Sequence, residues 1–343
     1  MQRYQGRRRK RGVYIGPIHI LLLLAGTAVI VLGGFFLRQA ISGGAEPPPP
    51  PAADDQGQQP DSPAGQEPPP AGTPEGDAPV TASGVRCTLR ELGEEAMYAG
   101  DLILVNNWTA FHFPEDQEAQ LLCVLDNKTG SYYVKDATVY LLPEALEALN
   151  AMMDAFQAQG GSKSVNVVAG HRTAEFQQHL FDQSAERNGI EHANKYVAKP
   201  GGSEHHTGLV VDFSILHGDG SSEEYQGQGE YGWINENCQD YGYVVRYEAG
   251  KEDLTGISDE PWHFRYIGIP HATQAAAQGL CLEEYVDYLK QFSFEGEHLM
   301  IDCASGRYEV WYAQGTKAYI PDSGEYTVSG NNVDGVVVTV KIG

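Results

Sequence analysis

Apolar positions are massed at one end of the chain and periodic further on. From Ile18 to Leu37 twenty consecutive residues carry no charge, inside a largely apolar run from Val13 to Leu37 interrupted by Pro17 and His19. At a rise of about 1.5 Å per residue, a helix of that length crosses a ~30 Å hydrocarbon core. Arg7-Arg8-Arg9-Lys10-Arg11 precede it, and the first 38 residues hold seven basic residues and no acidic one. A positive flank stays on the cytoplasmic side. The pattern therefore predicts a cytoplasmic basic segment (1–12), a transmembrane helix (13–37) and everything later outside the cell. A cleaved signal peptide is the rival reading, but its apolar core is usually shorter, and no convincing small-x-small cleavage site follows Leu37.

Residues 38–84 have almost nothing apolar to bury. Twelve of the nineteen prolines fall between Pro47 and Pro79, mixed with Gly, Gln, Asp, Glu and Ala. The segment reads as a disordered, partly polyproline-like spacer. Beyond it, Leu102-Ile103-Leu104-Val105 and Ala137 to Leu142 read as strands. Pro143 opens a helix at its favoured first position, with Leu146, Leu149, Met153 and Phe156 at helical spacing and Gly160-Gly161 at its end. Val165 to Ala169 reads as a buried strand and Glu175 to Arg187 as a helix stopped by Gly189. Val210 to Ile215, Tyr243 to Tyr247 and Trp262 to Ile267 read as further strands, and Leu282 to Phe292 as a closing helix. Short strands and helices without strict alternation indicate an α+β domain over 85–292. From 293 to 343 the pattern is of strands (Leu299 to Asp302, Tyr308 to Tyr312, Val336 to Ile342) between Gly- and Asn-rich turns, a small β-rich extension.

Charge narrows the partners. All 46 acidic residues lie beyond residue 38, against 16 basic ones, a net charge of −30. Such a surface repels phosphate backbones, so nucleic acid is not the ligand. The five cysteines are scattered without a C-x-x-C pair, which argues against a cysteine-rich metal site or a thioredoxin-type centre.

The chemistry gathers in Ser203-Glu204-His205-His206-Thr207-Gly208-Leu209-Val210-Val211-Asp212, answered by Glu260-Pro261-Trp262-His263. Histidines and a carboxylate can supply three ligands to a metal and leave a fourth position to water, with a second carboxylate to take a proton. Imidazole and carboxylate together suit zinc, whereas an all-oxygen set would suit calcium or magnesium. Gly208 permits the turn that brings a loop histidine and a strand aspartate to one ion. Either of the adjacent His205 and His206 could be the ligand on these grounds. Upstream, Gly170-His171-Arg172-Thr173 places Arg172 between a buried strand and a helix, and a planar guanidinium can fork a substrate carboxylate.

The pattern S-x-H-x-x-G-x-x-x-D followed about fifty residues later by E-x-W-H resembles the zinc D-alanyl-D-alanine carboxypeptidases of bacterial cell walls, the VanY-like family. The resemblance covers roughly residues 100 to 290. It implies the small zinc-peptidase fold of the D-Ala-D-Ala carboxypeptidase and Hedgehog-like type. It also implies Zn2+ held by His205, Asp212 and His263, with Glu260 as general base. Arg172, Gln177 and Ser203 match substrate-binding positions, and His206, where the family often has glutamine, falls on the substrate side or behind the ligands. His171 and Thr173 depart from the tyrosine and serine usual beside Arg172. The implied function is removal of the terminal D-alanine from peptidoglycan stem peptides. An LD-carboxypeptidase of the same family and a non-catalytic wall-binding domain are the alternatives.

The topology is directly testable. Protease shaving of intact cells should release the folded domain, and protection of residues 85–343 would refute an external location.

Overall fold

The computed structural model describes residues 79–343; the basic segment, the apolar run and nearly all of the proline-rich spacer lie outside the described residues. Among the described residues no helix is long and apolar enough to cross a membrane.

The site is carried by a mixed sheet in which Val165–Ala169, Val210–Leu216, Glu260–Tyr266 and Tyr243–Tyr247 lie side by side, all antiparallel. The short strand Tyr133–Val134 adds in parallel beside Val165–Ala169, and Ser222–Glu224 pairs with the far end of Val210–Leu216. Side chains alternate across a strand, so one face can be apolar while the other carries chemistry. Val165, Val167, Val211, Phe213, Ile215 and Phe264 point one way and meet Leu146, Leu149, Met152, Met153 and Phe156 of the helix Pro143–Ala158. Asp212, between Val211 and Phe213, is thereby turned to the other face. The helices Ala174–Asn188 and Ile190–Tyr196 contribute Gln177, Leu180 and Tyr196 to one wall of the pocket that opens there.

Two expectations from the pattern are corrected. Leu102 to Val105 is buried but is not a strand. Its backbone groups are taken by other partners: the Leu102 N–H donates to Ser329 Oγ, the Leu104 N–H to the Asn331 carbonyl, and the Ile103 carbonyl accepts from Arg265. Ala137 to Leu142 shrinks to the two-residue strand Tyr140–Leu141. The helices and strands with strong periodicity lie close to where the pattern put them, including Val165–Ala169, Tyr243–Tyr247 and Ala174–Asn188.

The C-terminal strands are more tightly joined to the rest than an appended extension would be. Leu299–Cys303, Gly306–Gln314, Gly335–Lys341 and Tyr326–Gly330 form an antiparallel sheet in that order. Its residues Leu299, Ile301, Val310 and Val337 share one core with Ala272 and Ala275 of the helix His271–Gln278 and with Leu282, Tyr285, Val286 and Leu289 of the helix Leu282–Leu289. His271 is buried between them. Its Nδ1 meets the Tyr285 hydroxyl and its Nε2 the Thr339 hydroxyl, each at 2.8 Å. At the other end of the described chain, Cys87–Glu91 pairs with Lys317–Pro321, so this first strand belongs with the C-terminal β structure. All five cysteines are unpaired.

A shared core should melt as one unit. Leu289 is 1% exposed within it, and Leu289→Ala should cost about 2–5 kcal/mol. Calorimetry should show a single transition, lowered as a whole by the substitution; two separate transitions with only one displaced would show that the C-terminal sheet folds alone.

Candidate active site

Sheet register does most of the work of assembling the site. Asp212 and His263 are directly opposed cross-strand neighbours on the face away from the helix Pro143–Ala158, the closest approach two strand side chains can have. His263 Nδ1 lies 3.0 Å from Asp212 Oδ1. His205 arrives from a short 3-10 turn, Glu204–Thr207, which ends at Gly208 with φ +73. A Cβ at Gly208 would come within 2.8 Å of Leu121 Cδ2, so both conformation and space require glycine there. His205 Nδ1 bonds the Gly170 carbonyl at 2.7 Å, which puts the ring's Nδ1 proton there and leaves Nε2 bare, 3.2 Å from Asp212 Oδ2. Gly170 is itself constrained, since a Cβ would meet the Tyr140 carbonyl at 2.4 Å.

One ligand atom each from His205, Asp212 and His263 lie within 4.8 Å of one another, and all three residues are buried. The arrangement fits a cation. Asp212 Oδ1 is buried without a hydrogen bond, because the nearby His263 nitrogen is close but not aligned as a donor. Burial alone would raise the Asp212 carboxyl, yet the two histidines hold it well below the usual range. Burial pushes His205 down to about 4, so it presents a neutral imidazole. His263 goes the other way: burial would lower it, but Asp212, Glu204 and Glu260 outweigh that and carry it up to about 9. The site thus demands positive charge at the centre of its carboxylates.

Glu260 stands beside this trio. The strand Glu260–Tyr266 spends four residue steps, from Phe264 to Glu260, where its neighbour spends two, from Val245 to Tyr247. That bulge lets Glu260 and His263 share a side despite being three apart, with Glu260 Oε2 3.6 Å from His263 Nδ1. Burial raises the Glu260 carboxyl to about 7, opposed by His263 and reinforced by Asp212.

A pocket of about 300 Å³ is lined by His205, Asp212, His263 and Glu260 together with Arg172, Gln177 and Ser203. Arg172 donates from one Nη to Asp212 Oδ2 at 2.7 Å. Gln177 is 1% exposed; its Nε2 donates to the Ala198 carbonyl and its Oε1 has no partner. His206 is the exception among the sequence-derived residues. It does not line the pocket. Its Nδ1 donates to the Arg172 carbonyl at 2.7 Å and its Nε2 accepts the Gly201 N–H at 3.1 Å, so both nitrogens are spent on holding the two loops that carry Arg172 and Ser203. Sequence reasoning gave Glu204 no role and took Arg246 and Arg265 only as family framework; the three form a fully buried ion cluster behind His205 and His263. The available signal was a pair of arginines inside otherwise apolar strands.

A His-Asp-His centre with an adjacent carboxylate, open to a pocket on one face of a sheet, defines a metallopeptidase type of site. Comparison with known proteins agrees. The VanY profile, described as D-alanyl-D-alanine carboxypeptidase, matches residues 138–269. A D-alanyl-D-alanine carboxypeptidase of Enterococcus faecium is 31% identical over 259 residues, covering 73% of this chain and 78% of that one. The bifunctional D-Ala-D-Ala dipeptidase and carboxypeptidase VanXYC of Enterococcus gallinarum is 36% identical over 159 residues, covering 46% and 82%. Among solved structures, the vancomycin resistance D,D-dipeptidase VanXYg in complex with a D-Ala-D-Ala phosphinate analog superposes with a TM-score of 0.66 at 30% identity, covering 74% of this chain and 99% of that one. The chain belongs to the VanY D-alanyl-D-alanine carboxypeptidase family and is an enzyme of the carboxypeptidase class.

The two adjacent histidines separate by experiment. His205→Ala should strip bound metal. His206→Ala should keep metal while losing about 1–3 kcal/mol of stability, because two backbone groups lose their partner. Metal content by mass spectrometry, read beside melting temperature, checks both; metal loss only in the His206 variant would reverse the ligand choice.

Proposed function

We propose that the chain is a zinc-dependent carboxypeptidase that removes the C-terminal D-alanine from peptidoglycan stem peptides at the outer face of the membrane. The observation that carries this reading is that ligand atoms of His205, Asp212 and His263 lie within 4.8 Å of one another, His205 Nε2 and His263 Nδ1 each facing an Asp212 oxygen, with Glu260 beside them and Arg172 in the same pocket. Two imidazoles and one carboxylate are a zinc set with a position left open for water. When bound, zinc would polarise the scissile carbonyl and bring the acidity of a water into the neutral range.

The protein's own groups do the rest. Glu260, raised to about 7, can take a proton from the attacking water near neutral pH and return it to the amine of the departing D-alanine. Arg172 keeps donors beyond the one given to Asp212, and a guanidinium fork suits the free carboxylate that distinguishes an exopeptidase substrate. Ser203 and the unpartnered Gln177 Oε1 offer further polar contacts to the peptide end.

The likeness to a D,D-dipeptidase and to a bifunctional relative favours a second reading in which free D-Ala-D-Ala is cleaved as well. For location, the support is the basic cluster at residues 7–11 ahead of the uncharged span 18–37, a pattern in which the positive flank stays cytoplasmic.

The test is D-alanine release by the zinc-loaded protein from peptides ending in D-Ala-D-Ala, from peptides ending in a single D-Ala, and from free D-Ala-D-Ala. Glu260→Gln should keep its zinc and bind peptide while turnover falls about 10²–10⁴-fold. Unchanged turnover would remove Glu260 as the base. A wild-type protein that binds peptide and releases nothing would be a wall-binding protein instead.

A further inference from the structure

Glu204 sits next to the ligand His205 in sequence, but its carboxylate faces the other histidine. It is 1% exposed. Its Oε1 accepts from Arg246 Nε at 2.8 Å and Arg265 Nη1 at 3.1 Å. Its Oε2 has no hydrogen bond, and neither does His263 Nε2; both atoms are buried, and they face each other across 3.7 Å. A buried donor and a buried acceptor left over in the same place are each other's only remedy.

We propose that Glu204 is a positioning residue for the metal ligand His263, accepting its Nε2–H and so keeping Nδ1 bare toward the metal. Which nitrogen carries the proton decides the role. An imidazole that gives one nitrogen to a metal keeps its N–H on the other. His263 presents Nδ1 to Asp212 and to the point shared with His205, so its proton must be on Nε2, where Glu204 is the acceptor. Metal-bound histidines commonly give their other N–H to a carboxylate in this manner.

The surroundings explain why a carboxylate is needed. Arg246 and Arg265 both donate into Oε1, which must stay an acceptor. A glutamine there would keep its oxygen toward the arginines and turn its NH2 toward His263 Nε2. Donor would face donor, and the ring would escape by moving its proton to Nδ1, the atom the metal requires. The clamp is rigid. The Arg246 Nη atoms are forked by Glu283 of the helix Leu282–Leu289 at 2.9 and 2.6 Å, and Arg265 Nη2 is held by the carbonyls of Asp101 and Ile103.

This inference rests on the zinc reading above, and the experiment separates the two. Zinc affinity of the full-length chain is measured by chelator competition, and the histidine tautomers by nitrogen-15 NMR of histidine-labelled protein. Glu204→Gln should weaken zinc binding about 10–100-fold, and the metal-free variant should carry the His263 proton on Nδ1. Equal zinc affinity in both proteins overturns the proposal and leaves the zinc reading intact. Weaker binding with the proton still on Nε2 also overturns it, since the loss would then be merely structural. A wild type that takes up no zinc overturns both. Should the variant fail to fold, the zinc-loaded wild type decides: a His263 Nε2–H slow to exchange with water supports the proposal, and a bare or freely exchanging Nε2 refutes it.

Discussion

Everything in this molecule depends on the period of two along the strand Val210–Leu216. Val211, Phe213 and Ile215 enter the core against the helix Pro143–Ala158, and that burial fixes the register. A slip of one residue would send Asp212 into the core and the valines into the pocket. The apolar face therefore decides where the carboxylate points, and the pairing of Asp212 with His263 follows from it. No separate device is needed to bring these two side chains together. The third, His205, does need one: a left-handed glycine and a carbonyl waiting at Gly170.

Behind the ligands, the sheet buries Glu204, Arg246 and Arg265 with side chains wholly removed from water. Buried ion clusters are weak contributors to stability, since desolvation consumes much of the attraction. Their value here is geometric. Each charge has fixed partners, so the floor beneath His263 has little freedom to rearrange. The pocket side is different in kind. Glu260 and Arg172 are only partly satisfied, and Gln177 keeps a bare oxygen. The site is held by ion pairs behind His263 and left open toward the pocket.

Much of this was legible in the sequence, and the failures have physical causes. Long, strongly periodic segments such as Pro143–Ala158 and Val165–Ala169 announce themselves because burial acts on their own pattern. Leu102 to Val105 misled because an apolar tetrad says that it is buried, not where its backbone hydrogen bonds go; those were claimed by Ser329, Asn331 and Arg265. The convergence of His205, Asp212 and His263 was legible because spacing and residue type are both restrictive. His206 was legible only as one of two alternatives, on the substrate side or behind the site, because a histidine that holds two backbone groups has the same letter as one that binds substrate. Glu204 was hidden by its neighbour's prominence. The pairing of Cys87–Glu91 with Lys317–Pro321 spans more than two hundred residues, and no local pattern encodes it.

That last pairing has a mechanical side. Just before it, Thr81 and Ser83 both bond the buried Glu309 of the C-terminal sheet. Tension entering at Val80 therefore meets a hydroxyl–carboxylate clasp and then five residues of antiparallel ladder before it reaches the strands that carry Asp212 and His263. The C-terminal β structure acts as a strain relief, like the collar on a cable, and the geometry of His205, Asp212 and His263 is insulated from tension applied ahead of Val80.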